Sequence, residues 1–213
     1  MIDMKKETDK ILEYLDDQEQ VRERLLDVSR SAIRKSSSAM AAFHRGDEGD
    51  YEEKLEDVKE DIESLNDIVN DTPYFSHHGS LIAAHREFSE AVLTRALIEG
   101  GDFPDPEDLN VSYRAFAQAL AESIGELRRH VLNLLRDGEL EKAQEVHERM
   151  EDVFHELVQF DYPDSILSGM RRKRDGARKS LEKTRADVTR AVRERKLEEA
   201  FKETEKRLDM DEV

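Results

Sequence analysis

A chain of 213 residues with 51 acidic and 34 basic side chains carries a formal charge of -17, and at 40% charged and 37% hydrophobic residues it can bury a real core in one elongated domain spanning 1–213 with frayed ends. No stretch approaches the ~18 to 20 apolar residues of a membrane span, and the start, MIDMKKETDK, lacks the apolar run of a secretory signal, so the expectation is a soluble, cytoplasmic protein without membrane association. The absence of Cys removes disulfides, thiolate metal sites and thiol nucleophiles together, and four Pro and nine Gly leave long stretches free of helix breakers.

The first helical run reaches from about Glu7 to Phe43, with Ile11, Leu15, Val21, Leu25, Val28, Ala32, Met40 and Phe43 recurring at helical spacing. GDEGD at Gly46 to Asp50 ends it. A second helix from Tyr51 carries Leu55, Val58, Ile62, Leu65 and Val69, a seam of alternating threes and fours suited to packing on another helix. After Thr72 and Pro73, Ser80 is an N-cap for a third helix that presents Leu81, Ala84, Phe88, Ala91 and Leu97 and stops at Gly100-Gly101. GDFPDPEDLN is turn chemistry. A fourth helix from about Val111 places Phe116, Leu120, Ile124, Leu127, Val131 and Leu134 on one stripe, with Ala115, Ala119 and Gly125 opposite, and Asp137-Gly138 ends it. The fifth, Glu139 to about Phe160, turns Leu140, Ala143, Val146, Met150, Val153 and Leu157 inward. A last helix begins near Pro163 and continues, with a kink at Gly169, toward Leu208 and the frayed tail LDMDEV. No alternating run argues for a strand, so the fold class is all-α, a bundle of about six to seven helices.

Charge is divided unevenly along this chain. Pro163 to Lys196 holds twelve Lys or Arg against five acids, a segment of +7 that leaves the remainder at -24, whereas Asp47 to Asp71 holds twelve acids and two Lys. A basic segment of this kind is compatible with binding a polyanion despite the acidic total. Arg171, Arg172, Lys173, Arg174, Arg178 and Lys179 can track a phosphate backbone at helical spacing, and the lack of interleaved aromatics favours backbone contacts over base stacking. Salt bridges to the acidic helices are the competing use of the same residues.

Two carboxylate pairs carry potential chemistry. Glu87 and Glu90 are three apart on the third helix, and Glu122 and Glu126 are four apart on the fourth, so each pair projects from one helix face. Brought together, four carboxylates need a cation between them, and hard oxygen ligands select Mg²⁺ or Mn²⁺. Such an ion activates water and stabilises charge on a phosphoryl group. With 51 acids in the chain, the bland alternative is a pair of solvated helix faces. His147, Glu151 and His155 share a face of the fifth helix, but no true Glu-x-x-His element is present, and an exposed stripe is the expected account; His77 and His78 read as surface loop residues.

The motif order resembles the translin family, translin and translin-associated factor X. The resemblance lies in Glu122-Ser-Ile-Gly-Glu126-Leu-Arg-Arg129, in the Leu-Leu-Arg-Asp-Gly-Glu break, and in the basic helix from Pro163-Asp-Ser-Ile-Leu-Ser-Gly-Met-Arg-Arg-Lys173 through Ala177-Arg178 to Thr184-Arg185-Ala-Asp-Val188. Weaker matches cover Ser29-Arg30 through Phe43-His44-Arg45 and Arg86-Glu87-Phe88-Ser89-Glu90-Ala91. The resemblance implies all-helical subunits assembled into a closed octameric shell around RNA or single-stranded DNA, with factor-X-type subunits acting as metal-dependent endoribonucleases. It further implies that Glu87, Glu90, Glu122 and Glu126 hold Mg²⁺ or Mn²⁺ and that Arg129 steadies developing charge. Glu122 stands where animal factor X has Asp, and Ser37, with Lys35 nearby, stands where the family has Lys. The expectation is a homo-oligomeric endoribonuclease cleaving single-stranded RNA. A non-catalytic shell that binds RNA or single-stranded DNA is the alternative, and a structural bundle without nucleic acid comes third.

Overall fold

The computed structural model describes the backbone of residues 4–211 and the side chains of residues 4–207. The chain forms α1 (Lys5–Arg45), α2 (Glu48–Asp71), a short 3-10 turn at Pro73–Phe75, α3 (Gly79–Glu99), α4 (Tyr113–Arg136), α5 (Leu140–Leu157) and α6 (Met170–Asp211), and among the described residues there is no strand. The all-α class is as expected. The expectation of frayed ends falls on residues 1–3 and 212–213, which lie outside the described residues, and on 208–211, where the backbone is helical.

Local chemistry sets each boundary. Gly46 takes a left-handed φ of 74°, which lets its N–H and that of Asp47 satisfy the carbonyls of Phe43 and Ala42, and the Asp47 carboxylate accepts from the Asp50 N–H at 3.2 Å to start α2. α3 begins at Gly79, one residue before the expected cap, because His78 Nδ1 accepts the Ser80 N–H at 3.3 Å; Ser80 lies inside the helix. His78 is half-buried against Phe75 rather than a plain surface residue. Near the other end, the expected kinked helix from Pro163 is corrected. Gly169 has φ 72° and donates its N–H to Asp164 Oδ1 at 3.2 Å, a left-handed stop before α6 rather than a bend within it. α5 likewise ends at Leu157, ahead of Phe160.

Contacts divide the chain into two compact units, one made of the chain through Arg95 with Asp102–Ala119, the other of Ala96–Gly101 with the chain from Leu120 onward. In the first, α1 packs along α2 through Leu25 and through Ser29, Ala32, Ser36 and Ala39, four small residues that let the Leu55, Val58, Ile62 and Leu65 seam of α2 come close. Phe88 and Tyr51 are fully buried beside them, and Tyr51 donates its hydroxyl to Ala91 O at 3.1 Å. Ile11 and Leu15, expected inward, are 57% and 53% exposed. The cause is length: α1 runs 41 residues and α2 only 24, so its first turns have no α2 to cover them. Val28, Met40, Phe43 and Val69 are half-buried, and Ile68 takes the inner position expected of Val69.

In the second unit, α5 buries all six positions expected of it, and α4 buries Leu120, Ile124, Leu127 and Val131. α6 contributes Met170, Ala177, Leu181, Thr184 and Val188. Each fully buried large apolar side chain contributes about 1.5 to 3 kcal/mol. Polar ties fix the helices in register: Arg128 donates to Thr184 Oγ1 and Asp187 Oδ2, both at 2.9 Å, and Arg149 donates to the Leu97 and Ile98 carbonyls at 3.1 and 2.6 Å.

Candidate functional site

Withdrawal from solvent singles out the candidate acids. Among the acidic residues whose side chains are described, none is buried and only eight are half-buried: Asp50, Asp61, Glu87, Glu90, Glu122, Glu126, Glu151 and Asp187. Four of these are the carboxylates singled out by spacing, and the other four sit in ion pairs that tie helices or stabilise turns: Asp50 with Arg45 and Lys54, Asp61 with Lys35, Glu151 with Arg185, and Asp187 with Arg128. A solvated helix face would leave Glu87, Glu90, Glu122 and Glu126 as exposed as most acids of this chain. It does not.

Glu87 and Glu90 belong to the first unit, Glu122 and Glu126 to the second. Arg86 Nη2 lies 3.0 Å from Glu87 Oε1. On α4, the Glu122 carboxylate accepts from the Lys173 ammonium of α6, and Glu126 Oε2 is 3.7 Å from the Arg129 guanidinium, one turn along the same helix. Arg129 itself is 58% exposed and reaches solvent easily. Among the described residues no group of three or more His, Cys, Asp or Glu is set to hold a metal ion. Mg²⁺ rarely needs one, since it keeps several waters and binds through one or two carboxylates together with substrate phosphates. The donors fit such an ion: they are hard oxygens, partly desolvated, and on Glu122 a cationic ammonium already stands where a metal would draw charge.

The basic run divides by direction. Arg171, Arg172, Arg178 and Lys179 are exposed, with the Arg178 guanidinium stacked over the Phe154 ring at 5.7 Å. Lys173 and Arg174 turn inward, the latter 3.9 Å from Asp161. Arg171 and Arg174 also line a cavity of about 210 Å³ with Asp161, Tyr162 and Asp164. Only the outward members are disposed to meet a phosphate backbone.

The His-bearing face of α5 departs from expectation. His147 is buried rather than exposed, and burial lowers its pKa; its Nε2 is 3.9 Å from Glu151, whose carboxylate is held by Arg185 at 2.5 Å, while His155 is exposed. Ser37 is exposed, and Lys35 is committed to Asp61 at 3.0 Å and to the Asp57 carbonyl at 3.0 Å. Sequence spacing missed Lys173 as a partner of Glu122 because the two are 51 residues apart.

No protein-family profile matches the chain. An uncharacterized protein of Methanocaldococcus jannaschii is 31% identical over 194 residues, which are 90% of this chain and 86% of that protein. The structure of AfC3PO in complex with duplex RNA superposes with a TM-score of 0.81 at 31% identity, covering 89% of this chain and 98% of that one. A crystal structure of AfC3PO gives 0.80 at 30% identity over the same shares. Apo-NeC3PO, at 18% identity, 90% and 98% coverage and a TM-score of 0.78, shares the fold. With the motif order, the all-helical fold and 30–31% identity over nearly the whole of AfC3PO in agreement, the chain belongs to the translin family, that of the C3PO proteins.

Proposed function

We propose that this protein binds RNA and cleaves it as a metal-dependent endoribonuclease of the translin type. The RNA half rests on the likeness, over 89% of the chain, to AfC3PO, whose structure holds duplex RNA. The catalytic half rests on one observation above the others: the four acids matching the family's catalytic positions are half of the half-buried acids among the described side chains, where the other acids are exposed. Glu122 and Glu126 of the second unit would hold Mg²⁺ or Mn²⁺; Glu87 and Glu90, in the first unit, are the other two acids that the family pattern assigns to the metal. When bound, that ion lowers the pKa of water and neutralises charge on the phosphoryl oxygens.

The remaining work falls to the chain's own side chains. Arg171, Arg172 and Lys179 hold the ribose-phosphate strand by its charge and leave the bases unread. Arg129, exposed and only loosely paired, can leave Glu126 for a phosphate oxygen as negative charge develops there. Glu126 is then relieved of the Arg129 charge and gains ligand strength for the metal. Incubation of the purified protein with labelled single-stranded and duplex RNA, in Mg²⁺, Mn²⁺ or chelator, is the test. Cleavage with metal and none with chelator supports the reading; binding without cleavage in either metal reduces the protein to a shell for RNA or single-stranded DNA.

Replacing Arg171 and Arg172 together by Ala should weaken RNA affinity and flatten its salt dependence by about 1.4 in the log-log slope, since each phosphate contact on a single strand contributes about 0.7. An unchanged slope measured by fluorescence anisotropy would remove both residues from the interface.

The reading includes a closed homo-oligomer, an octamer on the family pattern. Its support in this chain is apolar surface left wet: Ile11, Leu12, Tyr14 and Leu15 on α1 are 53–58% exposed, and Leu197 and Phe201 on α6 are 58% and 63% exposed. The residues beside the main seams carry less of it, with Leu132 39% exposed and Leu135, Phe154 and Phe160 half-buried. Light scattering should report a mass several times 24.7 kDa across a range of salt. A monomer throughout would end the shell reading.

A further inference from the structure

The basic run that opens α6 contains one side chain whose direction the phosphate-binding reading does not explain. In Arg171-Arg172-Lys173-Arg174, the first two are exposed, whereas Lys173 is only 14% exposed and places its ammonium on Glu122 of α4. Arg174 also turns inward, but toward Asp161 of the preceding loop and at 3.9 Å. Lys173 alone in the run is bonded to a candidate metal ligand.

The chemistry of the pair suits release. An Arg at this position would engage the carboxylate with a rigid fork, while Lys offers a single compact charge on a flexible four-carbon stem. A divalent cation carries twice that charge and binds the same oxygens directly, so the two compete for Glu122. Lys173 also follows Arg171 and Arg172 directly in the chain, where a bound strand would bring phosphates that can take the displaced ammonium. Removing Lys173 would take this ammonium from Glu122, which lies four residues from Glu126 on the same helix.

We propose that Lys173 is a positioning residue acting through Glu122: its ammonium holds the carboxylate in place when no metal is bound, lowers the affinity for metal alone, and moves to the RNA backbone when metal and RNA arrive together. The inference rests on the metal-dependent reading above. Metal binding without RNA must displace the ammonium with no phosphate to receive it, whereas metal binding with RNA does not. The protein thereby favours the ion in the presence of substrate. A partly buried ion pair of this kind should shift metal affinity by about five- to tenfold.

The test is a titration of Mn²⁺ alone into the full chain without RNA, followed by electron paramagnetic resonance of the free ion. Lys173→Met should bind Mn²⁺ about five- to tenfold tighter than the parent, and Lys173→Arg, which keeps the charge, should bind no tighter than the parent. Adding Glu122→Gln to Lys173→Met should erase the gain, an effect that a purely structural role for Lys173 would not produce. Circular dichroism and thermal melting check the fold, and Lys173→Gln replaces the Met variant if the latter unfolds. Equal or weaker Mn²⁺ binding by Lys173→Met overturns the inference and leaves the metal reading in place. No Mn²⁺ bound by parent or variant overturns both.

Discussion

Replacing Glu126 by Gln is expected to lower metal-dependent RNA cleavage by roughly a hundredfold or more, since loss of groups that merely support metal ligands already costs 10- to 100-fold, and to leave RNA affinity intact. The amide has the shape of the carboxylate, so α4 keeps its packing; Glu126 is half-buried, and Arg129, 3.7 Å away on the same helix, is exposed and can turn to solvent. What disappears is the negative charge that would draw a hard cation to this face beside Glu122. On the proposed reading, affinity for RNA rests on the outward arginines and lysine of α6, which the substitution does not touch, and one fewer negative charge can only help a polyanion approach. Single-turnover cleavage in Mn²⁺, with fluorescence anisotropy in chelator as the control, separates the two quantities. Turnover equal to the parent would take Glu126 out of the chemistry, and a joint loss of binding and cleavage would make it a structural residue.

What the sequence made legible follows from how each element is stabilised. α4 and α5 were readable because their inner positions are large and apolar, and helical periodicity alone picks out Leu127, Val131, Val146 and Met150. The extent of α1 was legible, but part of its inner seam was not, for the opposite reason. Its seam uses Ser29 and Ser36, and a serine that donates to the carbonyl one turn back, as Ser36 does to Ala32 at 2.8 Å, carries little polarity into the interface and gives no apolar signal. The stop at Gly169 could not be told from a kink, because a glycine in sequence does not announce the sign of its φ. At the candidate site, spacing located the four acids but could not separate them from an ordinary charged helix face; their withdrawal from solvent, a property of the folded chain, makes that separation. The basic run was equivocal in the same way. Successive helix residues point about 100° apart, so six neighbouring cations divide into phosphate-facing and inward members, and which carboxylate an inward one meets depends on a helix 51 residues away.

Acid should unfold this protein partly through one histidine. His85 on α3 is 96% buried, and its Nδ1 accepts the Ser112 N–H at 3.1 Å, while Ser112 Oγ accepts from Ala115 to begin α4. Protonating Nδ1 would break the first of these bonds and place a charge in a desolvated site, and burial accordingly pushes the pKa down to about 4 from 6.5. The unfolded chain binds this proton near pH 6.5 and the folded chain only near pH 4, so between those values the unfolded state holds more protons and stability falls as pH falls. The stability associated with neutral His85 is fully present above pH 6.5 and is lost by about pH 4, a difference of about 3 kcal/mol. The many carboxylates titrate in the lower part of the same range, so the comparison must be with a variant that keeps them all. His85→Asn retains an oxygen that can accept the Ser112 N–H and does not titrate. Urea unfolding in chelator at a series of pH values should therefore show the parent losing about 3 kcal/mol more than His85→Asn between pH 7 and pH 4. Parallel curves for the two proteins would mean that His85 takes up its proton in the folded state as readily as in the unfolded chain, so that neither burial nor the bond to Ser112 holds it neutral.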